Sequence, residues 1–439
     1  MLNTGSRQVA VIGGGLAGCE AAYRLSRRGF SVALYEMKPG RRSPAHHWDG
    51  LAELVCSNSL KAMRLSSAGG LLKAEMRMFG SLLLEAADRC AVPAGGALAV
   101  DREEFSRLVT QTIESDANIE IIRTEITEFP AGPVVIATGP LTSQALSEAI
   151  AKKLGRGYLS FYDAAAPIVT AASIDTSVAF SAARYGRGED DYLNCPMNRE
   201  EYDRFYEALI MGEQVRAKNF EREDLRVYEG CMPLEVLAGR GKDAMRFGPL
   251  RPVGLTDPRS GKRPWAVVQL RRENAAGTLY NLVGFQTSLR FGDQKRVLSL
   301  IPGLENAEIV RYGVMHRNTF LDSPRLLDET FALRWDPLVC FAGQITGMEG
   351  YMESAASGII AAEQLARRLL GEERLPLPVE TMIGALCGRI ADQSIEDFQP
   401  MGANMGLLPP LDSPVKDKQA RYQALADRSL KALQLAIDN

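Results

Sequence analysis

Apolar and polar positions alternate with more than one period along this chain, and the changes of period mark its elements. Val9-Ala10-Val11-Ile12 is a short unbroken apolar run, Gly13 to Gly18 is a glycine turn, and Cys19 to Arg28 has helical spacing that stops at Gly29. Phe30 to Tyr35 then alternates and delivers Glu36 at its end, so the opening predicts strand, turn, helix, strand. Gly70 to Arg89 places Leu72, Met76, Phe79, Leu83, Ala86 and Cys90 four and three apart in turn, which predicts one long amphipathic helix against a core. Asp101 followed by Glu104 predicts a capped helix to about Ile113. Ile119–Ile122, Glu125–Phe129 and Pro133–Gly139 read as strands.

From about Tyr158 the character changes. Ile168–Ala172, Trp265–Leu270 and Tyr280–Phe285 alternate like strands around an acidic helical stretch from Arg199 to Arg226. Leu338–Ala342 is again a buried strand, followed by a glycine turn, a small-residue helix from Met352 to Leu370, and helices over Val379–Ile390 and Lys416–Leu435. The expectation is an α/β protein: a Rossmann-like dinucleotide-binding domain in two parts, residues 1–157 and 313–439, interrupted by an α+β insertion over 158–312.

The glycine turn carries specific chemistry. Gly13, Gly15 and Gly18 form G-x-G-x-x-G between a strand and a helix, with an acid some 20 residues on. Gly13 makes the tight turn, Gly15 lets the backbone approach a pyrophosphate, and Gly18 allows close helix packing. Gly14, Leu16 and Ala17 complete the turn, and Glu36 is placed to accept from a ribose hydroxyl. Ala137-Thr138-Gly139 resembles the corresponding segment of flavoproteins with two dinucleotide-binding domains. Gly343-Gln344-Ile345-Thr346-Gly347-Met348-Glu349-Gly350, feeding a second helix start, offers backbone donors suited to the pyrimidine edge of a reduced flavin. No second dinucleotide fingerprint is present for a tightly held nicotinamide.

Composition narrows the class. A net charge of −3 excludes an overtly basic nucleic-acid binder, but charge is uneven: residues 181–235 hold 8 Lys/Arg against 13 Asp/Glu, and residues 240–317 hold 14 against 6. This leaves a basic face on the insertion, which charge counting alone equally explains as solvated surface. There is no signal peptide and no apolar run near the roughly 20 residues of a membrane helix, so a cytoplasmic protein without membrane contact is expected. Seven cysteines without regular spacing fit a reducing compartment, and three histidines, two of them the adjacent His46 and His47, predict no metal site. Cys19, Cys90, Cys340 and Cys387 lie on packing positions; Cys195 stays ambiguous. Cys56 precedes Ser57, Asn58 and Ser59, any of which would cap a helix, and Cys231 precedes Pro233, well placed as a first helical residue. Both thiols would then meet a positive helix end, which favours the thiolate, although helix-start cysteines are also common as structure. His316, beside a strand, is open between a structural and a ligand-facing role.

Several blocks together carry a resemblance: Val11 to Gly18, Glu53 to Leu60, Pro93 to Arg102, Glu229-Gly230-Cys231-Met232-Pro233, and Gly343 to Tyr351. In this order, over most of the chain, they resemble the folate- and FAD-dependent tRNA uridine-54 C5-methyltransferases (TrmFO). The resemblance implies transfer of the methylene of 5,10-methylenetetrahydrofolate to C5 of the T-loop uridine, with reduced FAD supplying electrons and NADH or NADPH as the reductant. It assigns Cys231 as the nucleophile at uracil C6, Cys56 as the thiol supporting flavin activation, and His316 as the residue stacking on the folate pteridine. The basic part of the insertion, including Arg271 and Arg272, becomes the expected tRNA-facing surface, and no obligate protein partner is implied. Three rivals remain: the wobble-uridine modification flavoproteins, a generic FAD dehydrogenase of a small metabolite, and a non-catalytic flavin-binding RNA protein.

Overall fold

The computed structural model describes residues 8–43, 45–155, 158–164, 166–186, 191–214, 232–313 and 315–438. Its first sheet has six strands in the spatial order Ala332–Leu333, Asp336–Phe341, Val134–Ile136, Gln8–Ile12, Ser31–Tyr35, Ile119–Ile122. All neighbours pair in parallel except the first two. Strands buried on both faces have no polar side to show, and Val9, Val11, Leu34 and Val134 to Ile136 are indeed fully buried. The chain leaves Gln8–Ile12 toward Ser31–Tyr35 and later returns on the other side through Val134–Ile136. The strand order therefore reverses beside Gln8–Ile12, which is where open α/β sheets bind ligands. The α/β, Rossmann-like expectation is met.

A second sheet of six strands runs antiparallel throughout: Phe180–Ser181, Tyr192–Met197, Ala266–Arg272, Leu279–Leu282, Ile168–Thr170, Ile309–Arg311. Arg199–Met211 packs on it, opened by a capping box between Asn198 and Glu201. Two antiparallel strands, Tyr158–Ala164 and Met315–Leu321, lie where the chain enters and leaves this region. One hydrophobic core gathers residues before 151 and after 319; a second gathers residues 166 to 304. Among the described residues no helix is long and apolar enough to cross a membrane.

Four sequence expectations need correction. The stripe from Leu72 to Cys90 is buried as expected but is carried by two helices, Ala68–Met78 and Leu82–Arg89. Gly80, at φ +70°, breaks the first, and the Ser81 hydroxyl caps the second by accepting from Leu84 N. Ser57 to Ser59 cap no helix, because Ser59–Ala62 is a strand paired with Ala97–Val100. Glu125–Phe129 forms no strand: the sheet edge beyond Ser31–Tyr35 is taken by Ile119–Ile122 alone. The acidic helix ends at Met211, since Gly212 takes an extended conformation; residues 215–226 lie outside the described residues.

Buried carboxylates fasten helices to this frame. Glu20 accepts from the backbone N–H groups of Leu82 and Leu83 and from the Ser81 hydroxyl. Glu75 accepts from Met382 N and Ile383 N, both at 2.7 Å, and from the Ser429 hydroxyl, tying Ala68–Met78 to Met382–Ala391 and Lys418–Asp438. Burial pushes both carboxyls up to about 7 against the pull of these donors.

Glu75→Ala is expected to cost about 3 kcal/mol, because three buried donors lose one acceptor; urea unfolding, with proteolysis of the last helix, measures it. The folded value of about 7 exceeds the ordinary 4.5. The contribution of the protonated form is thus complete below 4.5 and lost as pH rises through about 7. Glu75→Gln should flatten that decline; an unchanged slope would place the titration elsewhere.

Candidate functional site

At the carboxyl ends of the central parallel strands lies a cleft of about 1040 Å³, open mouth included. Gly13 to Ala17, Glu36, Thr138, Gly139, Gly343 and Gln344 line it, so nine of the expected residues come together: Gly13, Gly14, Gly15, Leu16, Ala17, Glu36, Gly139, Gly343 and Gln344. Gly13, at φ +101°, donates its N–H to Tyr35 O at 2.8 Å, and a Cβ there would stand 2.6 Å from Ala137 O. Gly15 is the N-cap of Leu16–Arg27, and a side chain on it would meet nothing within 4 Å. The helix has no acid in its first turn, which leaves its positive end for an anion from outside. An open cradle at Gly15 over free helix N–H groups fits a pyrophosphate.

Glu36 has a structural task the sequence did not show. Its Oε2 accepts from Gly14 N at 2.8 Å and its Oε1 from Lys38 N at 2.9 Å, so it holds the glycine turn itself. A carboxylate has about four acceptor sites, so these two bonds leave Glu36 capacity for a further donor where it lines the cleft.

Three expected residues shape the walls without lining the cleft. A Cβ on Gly18 would stand 1.8 Å from Gly13 O, on Gly347 2.6 Å from the Phe398 ring, and on Gly350 2.1 Å from the Glu353 carboxylate. Gly350 is the N-cap of Tyr351–Leu370, which packs on Leu16–Arg27 so closely that a Cβ on Gly358 would stand 2.2 Å from Ala17 O. Both glycine-turn helices therefore start beside the same cleft.

Cys56 sits half-buried in the loop before Ser59–Ala62 and starts no helix, so the dipole expected to act on it is absent. Its backbone N–H, and that of Ser57, donate to the Tyr351 hydroxyl at 2.7 and 3.1 Å. Tyr351 and Val55 line the cleft. Burial, with Cys56 beside it, pushes the Tyr351 phenol up, so it stays protonated. Arg102, Arg271 and Arg311 surround this loop. Burial lowers Arg271 and Arg311, with nearby Arg102 adding to the effect, while in Arg102 burial is outweighed by the Glu273 carboxylate. Arg102 Nε stands 2.5 Å from Glu273 Oε1, an ion pair without hydrogen-bond alignment. Behind the loop lies a second cavity of about 1410 Å³, lined by Trp48, Glu53, Arg102, Glu273, Arg311 and Tyr312 among others; Glu53 borders both cavities.

Cys231 lies outside the described residues. The helix that follows, Leu234–Gly239, has Pro233 as its N-cap, one position earlier than expected. His316 is described by its backbone, opposite Asp163 in the paired strands. Cys19, Cys90, Cys195, Cys340 and Cys387 are buried. Cys195, ambiguous in sequence, lies inside the strand Tyr192–Met197, and burial pushes its thiol up to about 12. Arg271 is not on the surface: it is buried and bonded to Ser57 and Asn58, because the inner face of Ala266–Arg272 turns it toward the Cys56 loop. Sequence reasoning missed Tyr351 and Arg102 as site residues, although both stood inside quoted blocks; isolated Arg311 gave no signal.

Over residues 8–373 the chain matches the family described as GIDA, glucose inhibited division protein A. It is 56% identical over 426 residues to the methylenetetrahydrofolate–tRNA-(uracil-5-)-methyltransferase TrmFO of Acetivibrio thermocellus, covering 97% of each chain. It is likewise 56% identical to the protein of that name from Halalkalibacterium halodurans, covering 97% of this chain and 98% of that one. Among solved structures, GidA of Aquifex aeolicus in its form II crystal aligns with a TM-score of 0.70 at 17% identity, covering 98% of this chain and 75% of that chain. At that identity the likeness concerns the fold.

The two glycines of the turn separate ligand binding from packing. Gly15→Val is expected to fill open space, leaving the melting temperature within about 2 °C but abolishing the yellow colour of bound flavin. Gly18→Ala is expected to lower both, since its Cβ must displace backbone. Equal losses of stability in the two variants would contradict this assignment.

Proposed function

The chain belongs to the TrmFO family of methylenetetrahydrofolate–tRNA-(uracil-5-)-methyltransferases, within the wider GIDA family, and we propose that it methylates C5 of uridine 54 in the T-loop of tRNA. The one-carbon donor is 5,10-methylenetetrahydrofolate. The glycine-lined cleft would hold FAD, with NADH or NADPH as its reductant. The observation that carries this reading is the placement of the Cys56 loop, through Val55 and Tyr351, on the wall of that cleft. The first rival, a wobble-uridine modification enzyme, and a metabolite dehydrogenase find no comparable support: the near relatives of matching length carry the methyltransferase name.

Uracil C5 is a poor nucleophile until a thiolate adds at C6 and pushes an electron pair onto C5. Cys231 is the group for that addition: its sulfur bonds C6, C5 attacks the donor's methylene, loss of the C5 proton expels the tetrahydrofolate nitrogen to leave a methylene double-bonded to C5, and a hydride equivalent reaching that carbon makes it methyl and expels the sulfur from C6. Bound reduced FAD would supply the two electrons that bring the methylene to the methyl level. Gly13 to Ala17 and the start of Leu16–Arg27 would hold its pyrophosphate, Glu36 its ribose, and Gly343 with Gln344 its ring edge. Cys56 is the thiol that supports flavin activation and proton transfer, a reading supported by its half-buried position and by its backbone N–H donating to the hydroxyl of cleft-lining Tyr351. His316 is the residue assigned, by the family resemblance, to the folate pteridine. The inserted unit, residues 158–312, faces the RNA, and the target base leaves its stack to reach the site.

The flavin-loaded protein should be incubated with a T-loop RNA carrying 5-fluorouridine at the target, methylenetetrahydrofolate and NADPH. Fluorine blocks the proton loss that releases the enzyme, so a covalent protein–RNA band is expected, and it should vanish in Cys231→Ala while FAD stays bound. No band with correctly folded RNA would favour the dehydrogenase or the non-catalytic binder.

Arg251, Lys262 and Arg263 are exposed, unlike Arg271, and lie in the basic part of the chain. Replacing all three with Ala is expected to weaken tRNA binding about tenfold and to flatten its salt slope by roughly 1 to 3. Unchanged affinity in a filter-binding titration would move the RNA surface elsewhere.

A further inference from the structure

The segment bearing Cys56 is held by hydrogen bonds from side chains of several distant elements. Leu54 O accepts from Arg102 Nη1 at 2.7 Å, and Val55 O from Arg311 Nη2 at 2.6 Å. The same Arg311 nitrogen reaches Ala45 O at 3.3 Å. Ser57 Oγ accepts from Arg271 Nη2 at 2.7 Å, and Asn58 Oδ1 from Arg271 Nε at 2.9 Å. Asn58 Nδ2 donates to Val100 O at 3.0 Å and to Arg272 O at 2.9 Å. Cys56 N and Ser57 N are held by Tyr351, as described. Ala52 and Lys61, on either side, have φ of 51° and 64°, left-handed conformations that non-glycine residues keep only when their surroundings impose them.

The origin of these clamps matters. Arg102 and Tyr351 belong to the dinucleotide-binding part, whereas Arg271 and Arg311 stand on Ala266–Arg272 and Ile309–Arg311 of the second sheet. The loop is thus gripped from two units with separate cores. Arg311, Arg102 and Glu53 also border the second cavity, so that the groups fixing the loop face whatever enters there.

We propose that Arg271 and Arg311 are positioning residues through which the inserted unit sets the place of the Cys56 thiol relative to the dinucleotide cleft. Neither touches the reacting atoms; each acts through the loop backbone or Ser57 and Asn58. The catalytic part of this proposal rests on the reading of Cys56 as a site thiol, whereas its structural part does not.

The test uses the full-length, FAD-loaded chain with Arg311→Ala, Arg311→Lys and Ser57→Ala. Ser57→Ala removes one partner of Arg271 without emptying the buried site of that arginine. Cys56 alkylation by iodoacetamide, followed by peptide mass mapping across neutral to alkaline pH, is read beside kcat and KM for methylation of a tRNA transcript. Arg311→Ala is expected to keep FAD, to alter the Cys56 alkylation rate at least about fivefold with a displaced pH profile, and to lower kcat about tenfold with KM within about twofold. Arg311→Lys, which keeps a donor for Val55 O, should recover much of kcat, and Ser57→Ala should act in the same direction more weakly. Cys56 alkylation unchanged in both Arg311→Ala and Ser57→Ala would overturn the proposal. So would a loss of kcat that follows loss of FAD and that Arg311→Lys does not relieve. If the methyltransferase reading itself fails, the unaltered chain methylates nothing while the alkylation comparison still reports on the loop, so the two failures are distinguishable.

Discussion

Everything around the cleft depends on how closely two helices approach each other. Leu16–Arg27 and Tyr351–Leu370 are more than 300 residues apart in sequence, yet a methyl group on Gly358 would stand 2.2 Å from Ala17 O. The same approach brings Gly343 within 3.1 Å of the Ala17 side chain, measured from where its own Cβ would be. Only when both helices sit this deep do their N-terminal ends flank one cleft, one end suited to a pyrophosphate and the other to an electron-rich ring. Ion pairs then lock the arrangement from the side: buried Glu363 on the second helix holds Arg24 of the first and Arg367 of its own.

The protein repeatedly uses buried carboxylates as joints. Glu20, Glu75 and Glu235 each accept from backbone N–H groups at the start of a helix or loop that a different element supplies. Glu353 receives Lys61 Nζ at 2.8 Å and Ala403 N at 3.0 Å, linking the strand after Cys56 to the helix that Tyr351 begins. Such joints are directional, so they fix where helices end as well as that they pack. Their cost is desolvation, visible in the raised values of Glu20 and Glu75.

Around Cys56 the polar interior changes sign. Three largely buried guanidiniums, one of them paired with Glu273 and another near Glu53, direct their donors at loop carbonyls and hydroxyls. A loop held this way is preorganised, with the Cys56 thiol half-buried on it. It also makes the loop a seam between two cores, and gives the inserted unit a mechanical hold on the dinucleotide-binding part.

Much of this was legible in the amino-acid order, and the reason is locality. The glycine turn, Glu36, the buried strands and the small-residue helix are each specified within about 30 residues by period and turn chemistry. The stripe from Leu72 to Cys90 was equally legible as core, but not as two helices, because Gly80 and Ser81 act only through a backbone turn that period does not report. The helix expected after Cys56 failed for a related reason. Ser57, Asn58 and Ser59 have the side chains of helix caps, yet strand pairing with Ala97–Val100 and the grip of Arg271 claimed them first. Arg271 itself, counted among surface charges, turned inward because its strand faces the loop on that side. The sequence by itself thus determined which segments line the glycine-turn cleft and that Cys19, Cys90, Cys340 and Cys387 are packing residues. Tertiary structure alone decided which distant side chains surround Cys56, since hydrogen bonds across more than 200 residues leave no periodic trace in the chain.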